Sequence, residues 1–274
     1  MTDEELEDRA IIRPTLGRTL RGLFQYGHLL RNLVSKDLKL KYRGSALGFV
    51  WSLANPLLMI GVYTFAFTRI MKVETPAFVF YLVLGILAWT YFANAIAMSS
   101  GSIVDSGGLV RSVWFPRAIL PFATVLFNLA QYLLTVAVFL PILMVLYDKP
   151  PAAPALAYPL VLLLQTAFMA GLALLLSVST AFFRDVRHLV EVALAVLFWA
   201  TPIVYEMSRV PERFRGWLQF SPMAPYVTAY HDIFYYRRWP DAGVWALAAG
   251  YAVVALAAGL WLMTRHEDRL TEQV

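Results

Sequence analysis

The sequence predicts an all-α integral membrane protein: an N-terminal amphipathic interfacial helix, six transmembrane helices and a re-entrant helical hairpin between spans five and six. Three observations carry this. Hydrophobic residues make up 59% of the 274, charged residues only 15%, and the mean hydropathy is +0.61. Soluble domains run at about 45–50% apolar and about 25% charged. The second observation is a series of charge-free windows; about 20 apolar residues cross the ~30 Å hydrocarbon core. The third is a strongly basic lead-in to the first window, with Lys36, Lys39, Lys41 and Arg43 inside eight residues.

The tail, residues 1–28, opens on the acidic "MTDEELEDRA" with no apolar stretch behind it, so no cleavable signal peptide is expected. Residues 29–46 form the interfacial helix. Leu29, Leu30, Leu33, Val34, Leu38, Leu40 and Tyr42 share one arc, and Arg31, Asn32, Ser35, Lys36, Lys39 and Arg43 lie opposite. Such a helix lies in the headgroup plane with its cations toward anionic lipid. The alternation from Asp37 to Arg43 also fits a strand, but the arc reaching back to Leu29 favours helix. Asp37 and Lys41 sit inside the apolar arc, spaced as an i,i+4 pair with the acid first.

The membrane domain is expected over 47–264, with spans at about 47–68, 77–100, 118–147, 155–183, 190–205 and 244–264, and a tail at 265–274. "KPPAAP", Lys149 to Pro154, is the turn between spans three and four. Glu191 stands near the start of the short fifth span, one turn after Arg187, and reads as interfacial. The charge-free "GWLQFSPMAPYVTAY", Gly216 to Tyr230, is too short to cross and is divided by Pro222 and Pro225. Within the region 212–236 it fits two half-helices that dip in and return, a geometry tolerated where protein or water covers the backbone. An ordinary outer loop carrying belt aromatics is the alternative. Lys and Arg number fifteen on the side of the N-terminus and eight on the other, which puts both termini on the cytoplasmic side.

Much chemistry is excluded. There is no cysteine, so disulfides and thiolate sites are ruled out. No Gly-Lys dipeptide exists, hence no Walker A motif, and no His-Glu-x-x-His. His28, His188, His231 and His266 are scattered. A formal charge of +5 in such a chain is positive-inside anchoring rather than a sign of nucleic-acid binding. Ion-coupled transporters place ionisable residues at mid-span. Spans one to four and six have none in their interiors, so the energy is expected from another subunit. The spans carry aromatics and amides instead: Trp51, Asn55, Tyr63 and Phe67 in the first, Trp89, Tyr91, Phe92 and Asn94 in the second, Phe198 and Trp199 in the fifth. Ring faces stack on sugars as readily as on lipid or other helices.

"LVSKDLKLKYRGSALGFVWSLANPLL", Leu33 to Leu58, closely resembles the N-terminal signature of type-2 ABC permeases that export bacterial surface polysaccharides, the O-antigen and wall teichoic acid exporters. "SGGLVRSVWFPRAILP", Ser106 to Pro121, is similar to that family's cytoplasmic link between spans two and three. "FFRDVRHLVEVAL", Phe182 to Leu194, resembles its lead-in to span five. The outer region resembles the family's re-entrant segment, with Ser221-Pro222 where Asn-Pro is usual.

The resemblance implies a homodimer of this permease bound to two copies of a separate ABC ATPase, which holds the ATP and Mg; the chain itself needs no cofactor and is not an enzyme. It implies a polysaccharide carried on undecaprenyl diphosphate, most readily O-antigen, passing between two permease copies in the cytoplasmic membrane. Inner-rim Lys41, Arg43, Arg117, Arg184 and Arg187 become candidates for the diphosphate headgroup. Trp51, Asn55, Tyr63, Phe67 and Trp199 become candidates for the channel lining, and Asp105, Arg111 and Asp185 for ATPase docking. A teichoic acid exporter, a drug exporter of the same type, and a membrane enzyme acting on lipid-linked sugar are the alternatives. The last would use Glu206, Glu212, Asp232, Arg237 or Arg238, which form no recognisable arrangement in sequence.

Overall fold

The structure, a computed structural model, describes residues 25–43, 50–72, 76–267 and 269–270, all helix and turn. Most of the expected N-terminal tail and the bend at 44–49 lie outside the described residues. The helices are α1 (Gly27–Tyr42), α2 (Val50–Thr64, continued by π-helical turns over Phe65–Ile70), α3 (Phe78–Asp105), α4 (Gly107–Ser112) and α5 (Ile119–Leu146). Then follow α6 (Tyr158–Phe182), α7 (Val186–Trp199), α8 (Glu212–Gln219), α9 (Ala224–Tyr230, continued by π-helical turns over His231–Tyr235) and α10 (Ala242–His266).

Among the described residues five helical segments are long and apolar enough to cross a bilayer: 53–70, α3, α5, the segment 153–182 that contains α6, and α10. The expected fifth span is shorter than its charge-free window. α7 has 14 residues, about 21 Å at 1.5 Å each. It stops because Pro202 has no N–H to give and disfavours helix in the residue before it. Thr201 Oγ1 closes the end by donating to the Leu197 carbonyl at 2.7 Å.

α6 and α10 make the closest contact in the bundle. A Cβ on Gly171 would lie 2.2 Å from the carbonyl carbon of Ala255, and one on Gly259 would lie 2.3 Å from the Gly171 oxygen. The two backbones touch, and Ala248, Ala252 and Ala255 extend the bare strip along α10. Lipid tails are as apolar as leucine, so close packing at small residues, not water exclusion, holds such helices together. α3 packs between α6 and α5 and is the central helix, with 78% of its most apolar window buried.

A buried polar knot fastens α9 inside the bundle. Gln165 of α6 donates from Nε2 to the Ala88 carbonyl of α3 at 3.2 Å and accepts from the Tyr230 hydroxyl at 2.6 Å. Tyr226 donates to the Ala248 carbonyl at 2.8 Å. The His231 ring stacks on Tyr81 at 3.6 Å, and its Nε2 lies 3.0 Å from the Tyr81 carbonyl oxygen. Tyr226 also stacks on Phe168, ten residues into α6 and so about 15 Å along its axis. The turn between α8 and α9 reaches equally deep, where the Ser221 and Thr201 hydroxyls meet at 3.0 Å. α7 and this helical hairpin therefore abut end to end.

α1 is helical through Tyr42, which settles the strand alternative. Leu29, Leu30 and Leu33 pack inward as the arc expects. Its far end differs. Leu40 is exposed, and Lys41 turns inward to donate to Gln131 Oε1 of α5 instead of pairing with Asp37. α1 thus runs along α5, from an edge contact between Tyr26 and Trp114 to Gln131, twelve residues and about 18 Å up the helix.

Replacing Gly171 or Gly259 by valine forces the two backbones apart and should destabilise the chain by about 3 kcal/mol. Gly250, where an added methyl group would meet nothing within 4 Å, should accept alanine without loss. Thermal unfolding in detergent reads both outcomes.

Candidate functional site

We call the end of the bundle that carries α4 and the end of α10 the basal end, and the opposite one the distal end. The five candidate headgroup cations do not converge there. Arg117, 6% exposed, is turned into its own loop. Its guanidinium donates to the carbonyls of Val113 and Phe115 at 3.2 and 3.3 Å and lies 5.0 Å from the Phe115 ring centre. Its backbone N–H donates to Glu267 Oε1 at 3.1 Å, which ties the end of α10 to the start of α5. Burial lowers the Arg117 pKa, and the Glu267 carboxylate opposes that shift.

Lys41 stands well above the rim, on Gln131 and within 5.8 Å of the Phe127 ring centre. Desolvation lowers its pKa. Arg187 forms an ion pair with Asp105, Nη2 to Oδ1 at 2.9 Å, so a candidate headgroup ligand and a candidate docking residue meet each other. Glu191, expected beside Arg187, faces His188 at 3.6 Å instead. The reason is reach, since Asp105 at the end of α3 comes closer to Arg187 than the next turn of its own helix does. Arg43 and Arg184 are exposed at the ends of their helices.

Three of the five candidate lining residues are brought together through Phe198, a span aromatic that was not among the lining candidates. Tyr63 stacks on Phe198 at 5.9 Å and meets Phe67 at 6.4 Å. Phe67 packs on Phe78 at 5.6 Å. Phe198 in turn contacts Trp89 at 5.6 Å and Trp199 at 5.3 Å. Rings of α2, α3 and α7 thus form one distal aromatic row. Trp51 and Asn55 lie nearer the base on an exposed stripe of α2 that continues through Leu58, Val62 and Phe65. α7 carries a matching exposed stripe, Leu189, Val192, Val196 and Trp199.

At the basal end Arg111 of α4 and Asp185, before α7, are exposed on two separate links. Trp114 and Phe183, in the same links, are 75% and 71% exposed and were not singled out from the sequence. Their signal was present, since each is a large ring in a short connection that also carries arginines.

Among the described residues no three His, Asp or Glu side chains gather as a metal ion would require. What the arrangement offers is a helical bundle with exposed apolar stripes, those of α2 and α7 among them, an aromatic row and a pair of short basal links. The ABC-2 type transporter family matches residues 28–235.

The chain belongs to the ABC-2 type transporter family.

Three curated relatives agree with that membership. An O-antigen export system permease protein of Myxococcus xanthus is 36% identical over 257 residues, which cover 92% of this chain and 97% of the relative. Two from Klebsiella pneumoniae, also O-antigen export system permease proteins, are 31% and 29% identical over 75% and 79% of this chain, and over 80% and 85% of their own lengths. As an ABC-2 family member with several helices fit to cross a bilayer, the chain is a multi-pass membrane protein and a transport rather than a catalytic subunit.

Arg117 and Arg184 separate by test. Arg117→Gln leaves the Val113 and Phe115 carbonyls short of donors and should cost about 1–3 kcal/mol of stability. Arg184→Gln, at an exposed position, should stay within about 0.5 kcal/mol of the parent. Melting of the purified chain in detergent distinguishes them.

Proposed function

We propose that this chain is the membrane permease of an ATP-driven exporter of lipid-linked O-antigen. The observation that carries the reading is the likeness, over nearly the full length of both chains, to an O-antigen export system permease protein. The absence of any Walker A pattern agrees with it, because the motor then belongs to a separate ATPase.

In this reading the basal end faces the cytoplasm and both termini lie there, in the inner membrane. Six crossings are made, α7 completing the short fifth one with residues 200–205. α1 is the interfacial helix, starting at the headgroups and ending inside the bilayer beside α5. α8 and α9 form the re-entrant hairpin. The burial of α9 and the bonds from Tyr226 and Tyr230 support that placement, since a half-helix within the bilayer must be covered by protein.

Two permease copies and two ATPase copies make the exporter. The exposed stripes of α2 and α7 face the second copy, and the polysaccharide passes between them. Tyr63, Phe67 and Trp199 line the distal part of the path, with Trp51 and Asn55 nearer the base. Arg184 draws the undecaprenyl diphosphate headgroup to the basal rim; Lys41 and Arg43, at the far end of α1, lie further along its way. Arg117, turned into its own loop, supports the rim from behind. The links holding Arg111 and Asp185 receive the ATPase.

The test is reconstitution of the full chain with its ATPase in vesicles carrying lipid-linked O-antigen. Export should require ATP and both subunits; movement by the chain alone overturns the reading. Export of a teichoic acid precursor at a higher rate would reassign the substrate. Arg43→Gln and Arg184→Gln should each lower export about tenfold, one lost charge-assisted contact, while the assembled complex is recovered in full. Unchanged export in both would leave these arginines as anchors only.

A further inference from the structure

We propose that Asp105, Arg187 and Gly101 form a clasp that joins the two basal links into a single docking unit; this rests on the docking reading above. Asp105 is the last residue of α3, and Arg187 is the second of α7. One link, α4, begins two residues after Asp105. The other, the Arg184–Asp185 turn, ends where α7 starts. The ion pair therefore bridges the roots of both links, across 82 residues of chain.

Gly101, one turn before Asp105, makes the geometry possible. A Cβ there would lie 2.0 Å from Arg187 Nη2 and 2.6 Å from Asp105 Oδ2. The guanidinium lies against the bare backbone of α3, and a methyl group there would require the guanidinium and the carboxylate to shift. Glu191, the other acid near Arg187, is turned to His188. The side chains of Arg187 and Asp105 remain 41% and 62% exposed, so the pair adds little to stability. Its effect is geometric. While it stands it ties the roots of the two links directly, so a push on either is shared between α3 and α7, which also pack on each other. α7 bears the exposed stripe that ends at Trp199, so the push arrives at the proposed path.

The chain has no cysteine, so introduced pairs carry spin labels without background. Labels at Ala97→Cys on α3 and Ala193→Cys on α7 report the clasp in the full chain assembled with its ATPase. With labelled chain diluted by unlabelled chain, one narrow distance within a copy is expected, broadened by Asp105→Asn, by Arg187→Gln and by the charge-neutral Gly101→Ala. The exchange Asp105→Arg with Arg187→Asp should narrow it again. Glycan exported per ATP hydrolysed should fall at least about fivefold in each single variant, with hydrolysis near the parent rate, and recover in the exchange. A Gly101→Ala variant with parental distance and coupling overturns the proposal. So does a parallel fall of hydrolysis and export in all variants, which marks a merely structural pair. A cysteine at Arg111 that reacts equally fast with and without the ATPase overturns the docking reading instead, and the α3–α7 distance still decides the clasp.

Discussion

The contact of Gly171 with Gly259 is the constraint on which the rest of the bundle depends. In a bilayer no water is released when two helices meet, so the gain comes from how closely atoms approach. Bare backbone on α6 and α10 permits the closest approach available. With that pair fixed, α6 offers its other side to α3, and α3 in turn carries α5, α2 and α7. The basal cluster forms on the same footing, with Leu174 and Val178 of α6 meeting Leu260 and Met263 of α10 around Ile103 and Phe115.

The second organising fact is the polar knot at Gln165. A fully buried amide is costly unless its groups are matched, and here Nε2 and Oε1 both find partners on different elements. Those partners belong to α3 and α9, so one side chain of α6 ties a long helix to a short one. α9 has only seven residues before its π-helical turns and is too short to be stable alone. Its order comes from Tyr226, Tyr230 and His231, each bonded to or stacked on a longer helix.

The long helices were legible in the sequence because hydropathy is a local property. So was the end of α7, in hindsight, because Pro202 is a local signal. The hairpin's divided form could be read from Pro222 and Pro225. The side-chain partners were not legible. Asp37 and Lys41 have the spacing of a helical pair, yet Lys41 reaches Gln131, ninety residues away. Arg187 looks equally suited to a headgroup, to Glu191 or to Asp105, and only the fold chooses Asp105. Arg117 reads as one more rim cation until the C-terminal end folds beneath it and Glu267 takes its amide. In each case the deciding partner lies far off in the chain, where periodicity carries no information. The aromatic row was half visible. Tyr63, Phe67, Phe198 and Trp199 stood out as rings, while the contacts by which Phe198 joins Tyr63 to Trp199, and the packing of Phe67 on Phe78, depended on how the helices meet.

α2 stands apart from the rest of the bundle in how it is held. Only 11% of its most apolar window is buried, and among its described residues just Pro56 and Ile60 are enclosed. Its firmest attachments are the rings at its distal end, Tyr63 on Phe198 and Phe67 on Phe78. Moving such a helix against an apolar neighbour uncovers little core beyond Pro56 and Ile60, so the remaining helices keep their packing whether or not α2 shifts.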